Sequence, residues 1–100
     1  MNQNKISVII ANYNHANFIE KRIESFINQT FKPYEIIIVD DGSTDDSRLI
    51  LEKLSSKFSE LKIFYNLKNK GAVYSYNKGL KCAEGDYFFP CAMDDIAFPQ

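Results

Sequence analysis

The sequence predicts an α/β domain of three layers, with a mainly parallel sheet and helices on both of its faces. Short apolar segments rich in β-branched residues alternate along the 100 residues with segments of helical periodicity, in the order β-α-β-α-β-α-β. Alternation of this kind is typical of parallel sheets with right-handed crossovers. Because 45% of the residues are apolar and 14% are aromatic, the chain can form one packed core and is not intrinsically disordered.

The first half of the chain predicts two strands and the helix between them. Residues 6–11 are short, apolar and β-branched, which is typical of a strand buried on both faces. Apolar side chains then recur at helical spacing from Phe18 to Ile27, and Pro33 ends this helix. The second strand is predicted at 35–40, which is the most apolar run of the chain.

The second half predicts two further helices and two further strands. Ser43, with Asp46 three residues later, resembles a capping box and predicts the start of the second helix. A third strand is expected at 62–65, a third helix at 72–82 and a fourth strand at 86–90. Each strand is thus connected to the next through one helix.

Charge and cysteine content exclude several classes of protein. Lys and Arg total 12 while Asp and Glu total 13, so the net charge is −1 and nucleic acid is not an expected partner. No apolar run approaches the roughly 18–20 residues that span a bilayer, and the polar start of the chain is unlike a signal peptide. Two cysteines, Cys82 and Cys91, are too few for a disulfide framework, so we expect a reducing, cytoplasmic location.

The residues that follow each strand are the candidates for chemistry, because ligands of open parallel sheets bind at the carboxyl ends of the strands. In chain order they are Asn12, Tyr13, Asn14 and His15; Asp40, Asp41, Gly42 and Ser43; Asn66, Lys68, Asn69, Lys70 and Gly71; and Ala92, Met93, Asp94 and Asp95. Two acidic pairs share this edge, and clustered carboxylates need a divalent cation, a proton or hydrogen-bond donors. Structural alternatives stay open, because Asp41-Gly42-Ser43 also fits a plain turn and Tyr13 also fits packing on the sheet edge.

Several of these segments together resemble a known family. Residues 7–14, 35–45, 69–71 and 85–87, with the pair Asp94-Asp95, resemble the N-terminal half of family 2 glycosyltransferases in order and spacing. The resemblance covers essentially the whole chain. It implies a Rossmann-like, GT-A type fold and the transfer of a sugar from a nucleotide donor, usually UDP-linked, to an acceptor.

The resemblance also implies roles for individual residues. The nucleotide-binding residues would be Ala11, Asn12, Tyr13, Asp40, Asp41, Lys70 and Gly71, and the ligands of a divalent metal, Mn²⁺ or Mg²⁺, would be Asp94 and Asp95. Asp40 would accept a hydrogen bond from the base. The expected partners are a nucleotide-sugar donor and a sugar, lipid-linked or polysaccharide acceptor. Such transferases serve the synthesis of cell-surface polysaccharide, which implies the cytoplasm or the inner face of the membrane.

Three positions depart from the family pattern. The family usually has Pro or Thr at the position of Ala11, often has Arg at Tyr76, and has a further acid at Ala92. The absent acid predicts weaker metal binding, because the site loses one carboxylate.

We expect residues 1–100 to be the N-terminal, donor-binding part of a larger transferase domain, since no closing helix follows the fourth strand. The acceptor site and the catalytic base are not among these residues, so the 100-residue chain alone is expected to transfer no sugar. An uncovered sheet edge and apolar face also favour self-association.

Two other classes of function are alternatives. Residues 36–41 resemble the strand and acid pair that bind Mg²⁺ in phospho-receiver domains, although the first strand ends in Ala11-Asn12 and the third in Tyr65-Asn66 where such domains carry acids. The other alternative is a non-catalytic fragment with a nucleotide-binding or structural role. UDP and acetyl phosphate, compared as stabilising ligands, separate the transferase from the receiver.

Overall fold

The computed structural model describes residues 4–29 and 32–93, which form one parallel sheet of four strands with helices on both faces. The strands are β1 (Ile6–Asn12), β2 (Glu35–Asp40), β3 (Leu61–Tyr65) and β4 (Tyr87–Ala92). The helices are α1 (Ala16–Ile27), α2 (Ser47–Lys57) and α3 (Ala72–Cys82). The predicted α/β fold class is confirmed, and the predicted strands differ from the observed ones only by one or two residues at their ends.

The strand order β3-β2-β1-β4 decides between two of the predicted classes. Chain order reverses at β1, as in the dinucleotide-binding type of doubly wound sheet. Flavodoxin-like sheets, to which receiver domains belong, begin with the order 2-1-3 instead. The phospho-receiver alternative is therefore wrong.

The two faces of the sheet pack against different helices. Val8 and Ile36 belong to the larger apolar cluster, which α1 and α2 cover with Ile23 and Leu51 among others. The opposite face presents Ile9, Ile37 and Val39, and α3 lies against it. β2 is buried over its whole length, as its continuous apolar run predicts.

A buried carboxylate joins four segments at the amino-terminal edge of the sheet. Glu35, the first residue of β2, accepts hydrogen bonds from Ser7 Oγ and from Lys62 Nζ, each at 2.6 Å. It also accepts one from the backbone N–H of Glu84 at 2.6 Å, and Ser7 Oγ in turn accepts one from the N–H of Gly85 at 2.9 Å. We call this group the Glu35 cluster. It connects β1, β2, β3 and the turn that precedes β4.

β4 lies at an edge of the described sheet, where β1 is its hydrogen-bonded neighbour. Tyr87, Phe88 and Phe89 are each about half exposed on it. This geometry is compatible with the expected self-association, which stays a prediction. Within residues 4–29 and 32–93, no helix is long and apolar enough to cross a bilayer.

Candidate functional site

Four of the predicted site residues meet at the carboxyl end of β1. Ala11 pairs with Ala92 of β4, and Asn12 pairs with Asp40 of β2. Tyr13 follows directly and is 42% exposed. Because chain order reverses at β1, this is the place where a parallel sheet of this type has its ligand crevice.

Asp40 is fully buried, and its carboxylate is engaged by the chain itself. Its Oδ1 atom accepts hydrogen bonds from Asn12 Nδ2 at 2.9 Å and Ser43 Oγ at 2.7 Å, and its Oδ2 atom accepts one from the N–H of Ser43 at 3.1 Å. These bonds hold the end of β1 against the turn that follows β2. The predicted contact between Asp40 and a base stays a prediction.

Asp41 is also buried, and it holds a different loop. Its carboxylate accepts hydrogen bonds from Asn66 Nδ2 at 2.9 Å, from the N–H of Lys70 at 2.7 Å and from the N–H of Gly71 at 2.9 Å. Lys78 Nζ donates to Asn66 Oδ1 at 3.0 Å, so the amide is held at both ends. Asp41 therefore fixes the loop 66–71 and brings Lys70 and Gly71, two predicted site residues, next to the end of β2.

Close backbone packing at Gly42 also holds the loop 66–71 in place. Gly42 has a φ of 75°, and a Cβ atom built on it would lie 2.6 Å from the backbone carbon of Lys68. Only glycine combines this left-handed conformation with such a close approach. The turn after β2 and the loop after β3 thus form one rigid unit.

The loops that follow β1 and β2 are joined through Asn14, whose φ is 57°. Asn14 Oδ1 accepts hydrogen bonds from the N–H groups of Thr44 and Asp45 at 2.8 and 3.2 Å, and its own N–H donates to Ser43 Oγ at 2.9 Å. Asparagine is one of the few residues that tolerate this backbone region, because its short amide can bond locally. Asn14 therefore acts as a cross-link between the two loops.

The expected capping box at Ser43 is wrong. Ser43 Oγ is used by Asp40 and by the N–H of Asn14, and Asp46 occupies the N-cap position without a side-chain hydrogen bond. Asp45 instead satisfies N–H groups at the starts of two helices. Its carboxylate accepts hydrogen bonds from the N–H of Ser47 at 2.9 Å and from the N–H of Ala16 at 3.0 Å. Burial raises the pKa of Asp45, but the bonds from Ser47 and Ala16 outweigh it, so the net pKa lies below the usual value.

The predicted metal ligands Asp94 and Asp95 lie outside the described residues. Within 4–29 and 32–93, no group of three or more His, Cys, Asp or Glu side chains is placed to hold a metal ion. Asp40 and Asp41 are occupied by the donors described above. A metal site at this edge therefore depends on residues 94 and 95, and it stays a prediction.

Asn14, Ser43 and Asn66 connect loops, and the sequence did not predict these roles. All three were among the polar residues after the strands, but nothing in their spacing indicated which loop each would bind. Each of them bonds to at least one residue that lies 25–31 positions away along the chain. Of the predicted nucleotide-binding residues, Tyr13 and Lys70 are exposed.

Comparisons with known proteins agree on one family. A family model described as Glycosyl transferase family 2 matches residues 7–100. A cholesterol galactosyltransferase from Borreliella burgdorferi is 45% identical over 91 residues, which are 91% of this chain and 25% of that protein.

Two solved structures share the fold. S. aureus TarS 1–349 in complex with UDP-GlcNAc superposes with a TM-score of 0.80 at 35% identity, over 90% of this chain and 26% of that one. The mannosyltransferase PcManGT from Pyrobaculum calidifontis, in complex with GDP-Man and Mn²⁺, gives a TM-score of 0.84 at 22% identity, over 93% of this chain and 28% of that one. The chain thus spans about a quarter of the length of each of these three proteins.

Proposed function

The chain belongs to glycosyltransferase family 2, and we propose that it forms the donor-binding part of a glycosyltransferase that uses a UDP-sugar. The observation that carries the proposal is the rigid, hydrogen-bonded wall at the carboxyl ends of β1 and β2, beside the exposed ring of Tyr13. The complex of TarS with UDP-GlcNAc, at 35% identity, supports a uridine nucleotide as the ligand.

The exposed groups at the carboxyl ends of the strands would make the contacts with the nucleotide. The ring of Tyr13 offers a stacking surface for the base, and the ammonium group of Lys70 offers a cation for the diphosphate. Ala11 and Gly71 leave room for a close approach. Asn12 Oδ1 is a buried acceptor without a hydrogen-bond partner, and an N–H donor of the base could satisfy it after a small shift of the side chain.

Asp40 and Asp41 would act on the nucleotide through the loops that they hold. Asp40 positions Asn12 and Ser43, while Asp41 positions Lys70 and Gly71. A site whose walls are fixed before the ligand arrives loses less conformational entropy on binding. Loss of either carboxylate should therefore weaken binding even without a direct contact.

Asp94 and Asp95 would hold the divalent cation against the diphosphate. Carboxylate oxygens are the ligands that Mn²⁺ and Mg²⁺ prefer, so this pair has the right chemistry. When bound, the cation would offset the negative charge of the leaving diphosphate. We choose Mn²⁺ as the probe because PcManGT, which shares the fold, was solved in complex with GDP-Man and Mn²⁺.

In the whole protein, the reaction would be an inverting transfer. A carboxylate outside these residues would take the proton of an acceptor hydroxyl, which then attacks the anomeric carbon from the face opposite the diphosphate. A sugar, lipid-linked or polysaccharide acceptor fits, and the name of the 45% identical cholesterol galactosyltransferase favours a lipid. With such an acceptor, the protein would act in the cytoplasm or at the inner face of the membrane.

Calorimetric titration with UDP in the presence of Mn²⁺ tests the proposal. A ligand at a hundred times its Kd should add about 2.7 kcal/mol to stability. Tyr13→Ala should weaken UDP binding by about tenfold if the base stacks there, and Asp40→Ala should also weaken it. Tyr34→Ala is the matched control, because Tyr34 is 44% exposed at the opposite edge of the sheet. No heat of UDP binding in a folded sample would refute the site.

We expect the 100-residue chain alone to transfer no sugar, because the family resemblance assigns the acceptor site and the catalytic base to a second half of the domain, outside these residues. Assays of donor hydrolysis and of transfer to a panel of acceptors check this. Transfer by the purified 100-residue chain would show that the base lies within it. UDP binding without transfer by the full-length protein would favour the non-catalytic alternative.

A further inference from the structure

The charge of this nearly neutral chain is unevenly distributed. Between Leu61 and Ala83 there are five lysines and no acidic residue, so this stretch carries +5 in a chain whose net charge is −1. The lysines are Lys62, Lys68, Lys70, Lys78 and Lys81. The stretch comprises β3, the loop 66–71 and α3.

The outer face of α3 carries apolar side chains that its packing on the sheet does not use. The helix buries Ser75 and Gly79 against the sheet, where a Cβ atom on Gly79 would lie 2.6 Å from Ile9 Cγ2. Val73 is 76% exposed, and Tyr74 and Leu80 are also exposed. This reverses the usual pattern, in which a surface helix turns its apolar stripe inward.

The loop that precedes α3 exposes a further apolar side chain. Leu67 is 98% exposed, although its loop is fixed by Asp41 and by the backbone packing at Gly42. Its position therefore does not result from a loose loop. Leu67, Lys68, Val73, Tyr74, Leu80 and Lys81 are together called the α3 patch.

We propose that the α3 patch docks on the surface of an anionic lipid bilayer. Aliphatic and aromatic side chains that project between lysines are typical of interfacial segments, in which the apolar groups enter the headgroup region and the lysines meet anionic lipids. Lys62 is paired with Glu35 and lies 3.8 Å from Glu84, so the positive charge that faces lipid comes from the other four lysines of the stretch. The exposed side chains of Leu67 and Val73 favour lipid over RNA, because RNA recognition uses aromatic stacking.

This inference goes beyond the proposed function and does not depend on nucleotide binding. The patch adjoins the loop that carries Lys70 and Gly71, so docking would place the carboxyl edge of the sheet at the membrane surface. A membrane-embedded acceptor could then reach this edge by diffusion within the bilayer.

Vesicle cosedimentation tests the docking, with phosphatidylcholine vesicles that contain phosphatidylglycerol and with pure phosphatidylcholine vesicles. The protein should bind the anionic vesicles, and binding should fall as salt rises. The double variant Lys68→Gln/Lys81→Gln should bind about 25-fold more weakly, at roughly fivefold per lysine. Leu67→Ser/Val73→Ser should bind at least about tenfold more weakly.

A matched variant on the other side of the sheet is the control. Leu49→Ser/Lys53→Gln on α2 removes an exposed leucine and an exposed lysine, and it should leave binding unchanged. Thermal melting confirms that each variant is folded, and UDP titration of the patch variants separates this inference from the proposed function.

The proposal would be overturned if the folded protein did not bind anionic vesicles, or if the control variant lost as much vesicle binding as the patch variants. It would also be overturned if Leu67→Ser/Val73→Ser bound as well as the wild type and polyuridylate displaced the protein from the vesicles.

Discussion

Replacement of Glu35 by glutamine tests how much the Glu35 cluster contributes to the stability of the fold. Glu35 is 1% exposed and accepts hydrogen bonds from Ser7 Oγ, Lys62 Nζ and the N–H of Glu84. All three groups are donors. In the variant Glu35→Gln, one carboxylate oxygen becomes an NH₂ group, which must face at least one of these donors in either orientation of the amide.

The expected loss of stability follows from the number and kind of these bonds. Hydrogen bonds to a charged group contribute about 1.5–3 kcal/mol each, and an unsatisfied buried donor adds about 1–3 kcal/mol. The remaining oxygen of glutamine still accepts some of these hydrogen bonds, so we expect Glu35→Gln to lower the free energy of unfolding by about 3 kcal/mol at neutral pH. For a domain of this size, that corresponds to a fall in Tm of roughly 15 °C.

The pH dependence of the loss gives a second, independent test. Burial raises the pKa of Glu35, but the hydrogen bonds from Glu84, Lys62 and Ser7 outweigh it, so the net pKa lies below the ordinary 4.5. The folded-state pKa is therefore lower than the unfolded one, and the carboxylate stabilises the fold above the unfolded value. This contribution disappears as the pH falls through the folded-state pKa. The difference between wild type and Glu35→Gln should thus narrow below pH 4.5.

Urea unfolding across a pH series measures both effects, with Glu84→Gln as the control. The Glu84 side chain is 66% exposed and lies 3.8 Å from Lys62, so its loss should change stability by less than about 0.5 kcal/mol. A loss below about 1 kcal/mol for Glu35→Gln at neutral pH would refute the assigned role of the cluster. A loss that stays constant into acid would show that the charge of Glu35 contributes nothing.

Three further substitutions test the site and the packing around it. Asp41→Asn should speed hydrogen exchange at the amides of Lys70 and Gly71, measured by NMR, because one donor loses its acceptor; unchanged exchange would show that other contacts hold the loop. Gly79→Ala should lower the free energy of unfolding in urea by about 1–3 kcal/mol, since its Cβ would lie 2.6 Å from a side-chain carbon of the core; equal stability would mean that this neighbour moves aside at little cost. Ala92→Asp should tighten Mn²⁺ binding in a titration with UDP present, whereas unchanged affinity would mean that position 92 does not face the metal.

The fold could be predicted from the sequence because its main determinants are local. The continuous apolar run of β2 can only be buried on both faces, which requires a central strand with helices above and below. Helical periodicity from Phe18 to Ile27 and the stop at Pro33 set the first crossover. β4 was predicted at residues 86–90, but it extends to Ala92 because pairing with β1 continues to Ala11.

The internal connections of the site could not be predicted, because they depend on distant backbone groups. Asp41 accepts from the N–H groups of Lys70 and Gly71, and a backbone N–H has no sequence signature. Ser43 had the spacing of a helix cap, but its hydroxyl donates to Asp40 and accepts a hydrogen bond from the N–H of Asn14, which lies 29 residues away along the chain. The contact with the distant loop of Asn14 could not be read from the local spacing.

Glu35, at the amino-terminal edge of the sheet, also depends on distant residues that the sequence could not identify. In the sequence it is the polar first residue of an apolar strand, which ordinarily indicates an exposed strand end. Its burial follows from the donors that three other segments bring to it, namely Ser7, Lys62 and the turn at Glu84. A buried carboxylate is stable only with such donors, so its role is visible only in the assembled fold.

The placement of the carboxylates also bears on how a ligand would bind. The clustered carboxylates were expected to need a divalent cation, a proton or hydrogen-bond donors, and Asp40 and Asp41 each accept at least three hydrogen bonds within the chain. Their charge is therefore largely used to fix three loops, and the proposed contacts with a nucleotide at the carboxyl edge of the sheet fall to the exposed residues Tyr13 and Lys70. Such an edge needs little reorganisation, so loss of Asp40 or Asp41 should weaken binding mostly through disorder of the loops. The conservative variant Asp40→Asn keeps the acceptor for Asn12 Nδ2 and should retain more UDP affinity than Asp40→Ala. Equal affinities in the two variants would mean instead that the carboxylate charge itself contacts the ligand.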